Sequence, residues 1–166
     1  DMGLMFFVSN SFSKNLSLYG ERVGGLSVVC KDEAQAKAVQ GQLQFNIRRI
    51  YSSPPSHGGH VVDIVMNDDA LFNEWVQEVY VMRDRIKEMR QKLRDSLEAK
   101  LPGRSFEYIT KQNGMFSYTG LTPEQVARII KDFGIYMVAN GRISVAGLNA
   151  SNIDYVANAM AEVLKD

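Results

Sequence analysis

With 166 residues and 45% apolar content, the chain is too hydrophobic to remain disordered and long enough for one ordinary domain or two small ones. Nineteen basic residues balance nineteen acidic ones, so no net field attracts a polyanion such as nucleic acid, and any anion must be held by individually placed cations. The lone Cys30 excludes an internal disulfide framework and fits a reducing compartment, with the cytoplasm as the default.

No apolar run reaches the roughly 18 residues that span a bilayer, and the start lacks the basic-then-apolar order of a signal peptide. The sequence opens at Asp1 and at once enters Leu4-Met5-Phe6-Phe7-Val8, which reads as a buried strand over 4–9. A strand apolar on both faces belongs in a parallel sheet covered by helices, and few partner strands follow, so a fragment of a longer protein is expected. A polar loop over 10–21 leads to a second strand over 25–30. Asp32 then suits the N-cap of a helix running toward Ile50, with Ala34, Ala38, Leu43, Phe45 and Ile47 as apolar contacts and Pro54 and Pro55 as its stop.

A further helix is predicted over 57–66. His57 and His60 there share a face, but no third donor lies near, so no metal site is expected. Asp68 or Asp69 caps a long helix in which Leu71, Trp75, Val79, Met82, Ile86, Met89, Leu93 and Leu97 recur every three or four residues, ending near Pro102 and Gly103. About 30 residues make roughly 45 Å, more than a small domain needs, so the stripe predicts an inter-domain helix, with a coiled coil as the alternative. Strands predicted at 106–110, 115–118, 135–138 and 143–145 surround a helix over Pro123–Phe133, which Thr122 and Gln125 start as a capping box. A last helix follows Ser151 and buries Ile153, Val156, Ala157, Met160 and Val163 or Leu164, completing a compact α+β unit.

The stretch Ser11-Phe12-Ser13-Lys14-Asn15-Leu16-Ser17-Leu18-Tyr19-Gly20-Glu21-Arg22-Val23-Gly24 sets hydroxyls, a lysine and an arginine directly after a strand. In open α/β sheets ligands bind beyond the carboxyl ends of strands, so Lys14 would sit at the crevice while Ser11, Ser13 and Arg22 reach a phosphate. On the residues alone, Lys14 is equally a phosphate-binding point charge, although the glycine spacing of a nucleotide P-loop is missing, or part of a solvated basic loop.

This segment resembles, position by position, the cofactor-lysine motif of the class I and II aminotransferases, fold-type I pyridoxal-phosphate enzymes. The resemblance extends through Arg48-Arg49-Ile50-Tyr51-Ser52-Ser53-Pro54-Pro55, Asn113-Gly114-Met115-Phe116-Ser117 and Asn140-Gly141-Arg142-Ile143-Ser144-Val145-Ala146-Gly147, in the manner of the bacterial aromatic-amino-acid and aspartate branch. It implies an α/β chain in which 1–66 is the remainder of the large cofactor-binding domain, 67–101 a long inter-domain helix and 102–166 a small α+β domain. It implies pyridoxal 5'-phosphate as cofactor, Lys14 as the Schiff-base lysine and proton carrier, and Ser11, Ser13 and Arg22 on the cofactor phosphate, with Gly24 permitting close packing. By the same resemblance Arg142 grips the substrate α-carboxylate through its planar fork, and Arg48 reaches from the neighbouring subunit of a homodimer toward a side-chain carboxylate. Ser52 supports that neighbouring site, and Tyr51 and Phe116 line the pocket. Without the family, Arg142 reads equally as an exposed strand-end charge, Arg48 as a solvated helix position, and both aromatics as core.

The implied reaction transfers an amino group between an aromatic or dicarboxylic amino acid and a 2-oxo acid. The acid that pairs with the pyridine nitrogen, the aromatic that stacks on the ring and the tyrosine on the phenolic oxygen have no counterpart here; the family carries them upstream of residue 1. The isolated chain is therefore expected to have little activity. Two other expectations compete: a non-catalytic assembly fragment with the long helix as interface, and another fold-type I enzyme such as a decarboxylase or lyase. Arg142 argues against an enzyme that must let the α-carboxylate depart.

Overall fold

The computed structural model describes residues 3–165. The chain forms two compact units, Asp1–Val79 and Tyr80–Asp166. In the first, β1 (Phe6–Ser11) and β2 (Gly24–Val29) pair antiparallel, from Phe6 opposite Val29 to Ser11 opposite Gly24. The one pairing described is antiparallel where a parallel partner was expected, and in this chain all six positions of β1 are exposed, Phe7 at 66%. The apolar run does report two apolar faces. Direction, however, is set by the connection: the loop over 12–23 holds no crossover helix and closes on itself, Phe12 N–H donating to the Val23 carbonyl at 3.2 Å.

Helix α1 (Glu33–Tyr51) starts where expected, because Asp32 Oδ1 accepts from Gln35 N at 2.8 Å while Gln35 Oε1 accepts from Lys31 N at 2.7 Å. None of its residues is buried, so the contacts expected of Phe45 and Ile47 are replaced by exposure of 56% and 38%. Helix α2 (His57–Asn67) follows, with Gly58 buried against the loop: a Cβ there would lie 2.8 Å from Glu21 Cβ. Asp68 Oδ1 then accepts from Ala70 N and Leu71 N at 2.9 and 3.0 Å to start α3 (Asp69–Lys100).

The second unit takes α3 from Tyr80 onward and holds the apolar core among the described residues. The α3 stripe is buried at Met89, Leu93 and Leu97 but 39% exposed at both Leu71 and Met82, so its periodicity is used in full only along the later turns. Around it lie α4 (Glu107–Lys111), β3 (Phe116–Tyr118), α5 (Pro123–Phe133), β4 (Arg142–Ser144), a 3-10 turn (Val145–Gly147) and α6 (Ile153–Leu164). Burial of Leu93, Leu97, Ile109, Ile129, Met160 and Val163 supplies the main attraction, each side chain contributing about 1.5–3 kcal/mol.

The predicted strand over 106–110 is instead helix α4. Phe106 and Ile109 are both buried, a spacing of three that suits a helical face, and Glu98 Oε1 fixes the entry by accepting from Phe106 N at 3.0 Å. That bond, followed by Arg94, holds the Glu98 carboxyl below its ordinary range. Among the described residues the predicted strand over 135–138 joins no sheet, and Val138 N–H donates to the Arg142 carbonyl at 3.4 Å. The strand predicted over 143–145 starts one residue earlier and gives way to the 3-10 turn at Val145, while that over 115–118 begins at Phe116. These strands pair antiparallel, Phe116 with Ser144, Ser117 with Ile143 and Tyr118 with Arg142. Helix α5 has its capping box, with Thr122 and Gln125 exchanging bonds of 3.0 and 3.3 Å, and α6 buries Ile153, Ala157, Met160 and Val163. Among the described residues no helix is long and apolar enough to cross a membrane.

Candidate active site

The lysine-bearing loop is shaped at its neck. Ser11 ends β1 directly opposite Gly24, and a Cβ at Gly24 would sit 2.4 Å from the Asn10 carbonyl oxygen, so the two strands approach only because residue 24 has no side chain. Gly24→Ala is expected to destabilise the first unit by about 1–3 kcal/mol through this overlap, read as a lowered midpoint of urea unfolding; an unchanged midpoint would mean that the hairpin yields freely.

Above the neck, Ser11 Oγ accepts from Ser13 N at 3.2 Å, which leaves its hydroxyl hydrogen available to donate elsewhere. Ser13 is 5% exposed, whereas Lys14 is exposed and carries its Nζ 4.4 Å from the centre of the Tyr19 ring. Arg22 Nη1 donates to the Tyr19 carbonyl at 2.9 Å. Ser17 and Arg22 have φ of 56° and 52°, left-handed conformations that cost on the order of 1–3 kcal/mol each and persist only where surroundings impose them. One such restraint is Trp75, whose Nε1 donates to the Asn15 carbonyl at 2.8 Å. Ser11, Ser13, Lys14 and Arg22 thus stand on one restrained loop.

Arg48 and Ser52 lie apart from that cluster at the end of α1. Arg48 is exposed in the last turn, and Ser52, with φ 61°, terminates the helix. Among the described residues neither shares a hydrogen bond or ion pair with the loop. Tyr51 beside them is 53% exposed.

In the second unit, Arg142 opens β4 with its backbone N–H donating to Asn140 Oδ1 at 3.1 Å and its guanidinium 5.0 Å from the centre of the Phe116 ring. The two residues are diagonal neighbours across the β3–β4 ladder. Gly141 sets the turn before it: φ is 80°, a Cβ would meet the Leu121 carbonyl at 2.8 Å, and its own carbonyl accepts from Thr119 N and Oγ1 at 3.0 and 2.8 Å. A cavity of about 620 Å³ adjoins, walled by Phe116, Tyr136, Val138, Ser144 and Tyr155, with Arg142 its one charged residue among those described. A single guanidinium among apolar walls suits a carboxylate with an apolar remainder.

The sequence reading passed over Tyr19 as a partner of Lys14 and Arg22, Gly141 as the support of Arg142, and Arg90, which is 4% exposed beneath β3. Arg90 did carry a signal. It falls four residues after Ile86 and three before Leu93, on the face that the apolar stripe buries.

The family model for "Aminotransferase class I and II" matches residues 1–160. The chain belongs to this family. The aromatic-amino-acid aminotransferase of Escherichia coli K12 is 54% identical over 162 residues, which make up 98% of this chain and 41% of that protein. A psychrophilic aromatic amino acids aminotransferase from Psychrobacter sp. B6, crystallised with aspartic acid, superposes with a TM-score of 0.96 at 72% identity, covering 100% of this chain and 42% of that one. The aromatic-amino-acid aminotransferase of Burkholderia pseudomallei, covalently bound to pyridoxal phosphate, gives 0.92 at 52% identity, over 98% of this chain and 41% of that one. The chain therefore spans about two-fifths of the length of these relatives. Both the Lys14 loop and the Arg142 arm of this aminotransferase chain fall within the matched residues, and its α/β class is that of the fold-type I aminotransferases expected from the motif.

Proposed function

We propose that the chain is the carboxyl-terminal portion of a pyridoxal-phosphate-dependent aminotransferase acting on aromatic and dicarboxylic amino acids. In it 1–66 completes the large cofactor-binding domain, 67–101 is the inter-domain helix and 102–166 the small domain. The observation that carries this reading is the restrained loop holding Lys14 beside Ser11, Ser13 and Arg22. Its donors fit a phosphate-bearing aldehyde: hydroxyls and a guanidinium for the dianion, and a primary amine for the carbonyl carbon. When bound, pyridoxal phosphate supplies an electron-withdrawing ring conjugated to the reacting carbon.

The chain's own residues divide the remaining work. Ser11 and Ser13 would donate hydroxyl hydrogens to the phosphate oxygens, and Arg22 would add a charge. Lys14 Nζ would hold the cofactor through its aldehyde carbon, and as a free amine it would be placed to take the proton from the substrate Cα. Arg142 pairs with the α-carboxylate while the apolar wall beside it accommodates an aromatic remainder. Arg48, with Ser52 in support, reaches across a homodimer to a side-chain carboxylate. For an aromatic substrate Arg48 swings away, because a guanidinium held against an apolar ring is costly. The lone Cys30 supports a cytoplasmic setting.

Two measurements on the whole protein test this reading. With aspartate or phenylalanine and 2-oxoglutarate, the amino group is expected on the 2-oxo acid with ping-pong kinetics; release of carbon dioxide or ammonia instead would point to a decarboxylase or lyase. Arg48→Leu is expected to lower kcat/KM for aspartate by roughly 10²-fold, the loss of about 3 kcal/mol of charge-assisted hydrogen bonding, and to affect phenylalanine far less. Equal losses for both substrates would sink the role of Arg48.

A further inference from the structure

Arg90 is a buried guanidinium whose described hydrogen-bond partners include no carboxylate. Nη1 donates to the Ile109 carbonyl at 2.7 Å and to Ser117 Oγ at 3.1 Å; Nη2 donates to the carbonyls of Gly114 and Phe116 at 2.8 and 2.7 Å. Nε is buried with no partner among the described residues. Burial pulls the guanidinium pKa below its ordinary value, a sign that the charge is held at a cost. Methionine would fill the same space more cheaply but would bring no donors. What Arg90 adds is a rigid fork that fixes consecutive parts of 114–117.

That segment needs fixing. Strand β3 is three residues long, and its ladder with β4 is equally short. Two contacts meet at Phe116: its carbonyl accepts from Arg90, and its ring lies 5.0 Å from the Arg142 guanidinium. We propose that Arg90 is a positioning residue for Arg142, holding the Phe116 backbone so that the ring keeps the guanidinium at the wall of the cavity. The inference rests on the carboxylate-binding role of Arg142 for its functional meaning, but the mechanical chain from Arg90 through Phe116 to Arg142 is separately testable.

The readout is the Nε–Hε NMR signal of Arg142 in the whole protein, which the current of a ring 5.0 Å from the guanidinium is expected to displace. Phe116→Leu removes the ring and defines the undisplaced position. Arg90→Lys keeps the charge and loses the fork; it is expected to move the Arg142 signal most of the way to that position. It should also weaken the response of that signal to succinate roughly tenfold, about the loss of one charge-assisted hydrogen bond. Leu93→Ala, which damages the core without touching this contact, should lower stability and leave the signal in place. A folded Arg90→Lys chain with an unmoved Arg142 signal overturns the proposal. If that variant does not fold, Ser117→Ala decides by deleting one acceptor of Arg90: a smaller displacement in the same direction supports the chain of contacts, and none overturns it. A signal that responds to both substitutions but never to succinate would refute the carboxylate role of Arg142 while leaving the positioning intact.

Discussion

Lys14→Ala in the whole protein is expected to lower amino transfer by on the order of 10⁴-fold, the upper range for removal of a positioned proton carrier, because covalent anchor and base are lost together. Lys14→Arg distinguishes this role from that of a phosphate-binding charge. Arginine keeps the cation and can still lie against Tyr19, but a guanidinium that stays protonated throughout the working pH range takes no proton and forms no bond to the cofactor aldehyde. Both variants should therefore be equally inactive when 2-oxo acid release from aspartate is followed. Recovery to within roughly tenfold of the parent by Lys14→Arg, the scale of a mere charge contact, would reduce Lys14 to a phosphate ligand.

Arg142→Leu is expected to cost about 3 kcal/mol of transition-state binding, a factor on the order of 10² in kcat/KM, for aspartate and phenylalanine alike. Every 2-amino acid presents the same α-carboxylate, so the loss should not depend on the side chain, in contrast with Arg48→Leu. Arg142→Lys should restore part of it: a point charge still attracts the carboxylate but lacks the two parallel donors, and it stacks less well on Phe116. An Arg142→Leu enzyme that handles phenylalanine normally would move the carboxylate site elsewhere.

The features legible in the sequence were those with local causes. Asp32 with Gln35 and Thr122 with Gln125 are contacts between residues three apart, and the helices they start begin as expected. The loop from Ser11 to Gly24 was legible for the same reason, since its residues are consecutive. Expectations failed where the cause was distant. The run at Phe6 and Phe7 announced two apolar faces, but it did not say that the chain would return antiparallel. Phe106 to Thr110 has the aromatics and β-branched residues of a strand, yet tertiary burial of Phe106 and Ile109 and the Glu98 carboxylate select a helical turn. The bond from Trp75 to Asn15 and the four from Arg90 join residues 19 or more apart in sequence, beyond the reach of pattern reading.

The central claim is that Lys14 is the residue on which the cofactor is carried. Incubating the whole protein with equimolar pyridoxal phosphate, reducing with borohydride and mapping the peptides by mass tests it most directly. The phosphopyridoxyl mass should appear on the peptide containing Lys14, and aspartate added before reduction should remove it by displacing the lysine. Label spread over exposed lysines such as Lys31, Lys37 and Lys100, with Lys14 unmodified, would contradict the account.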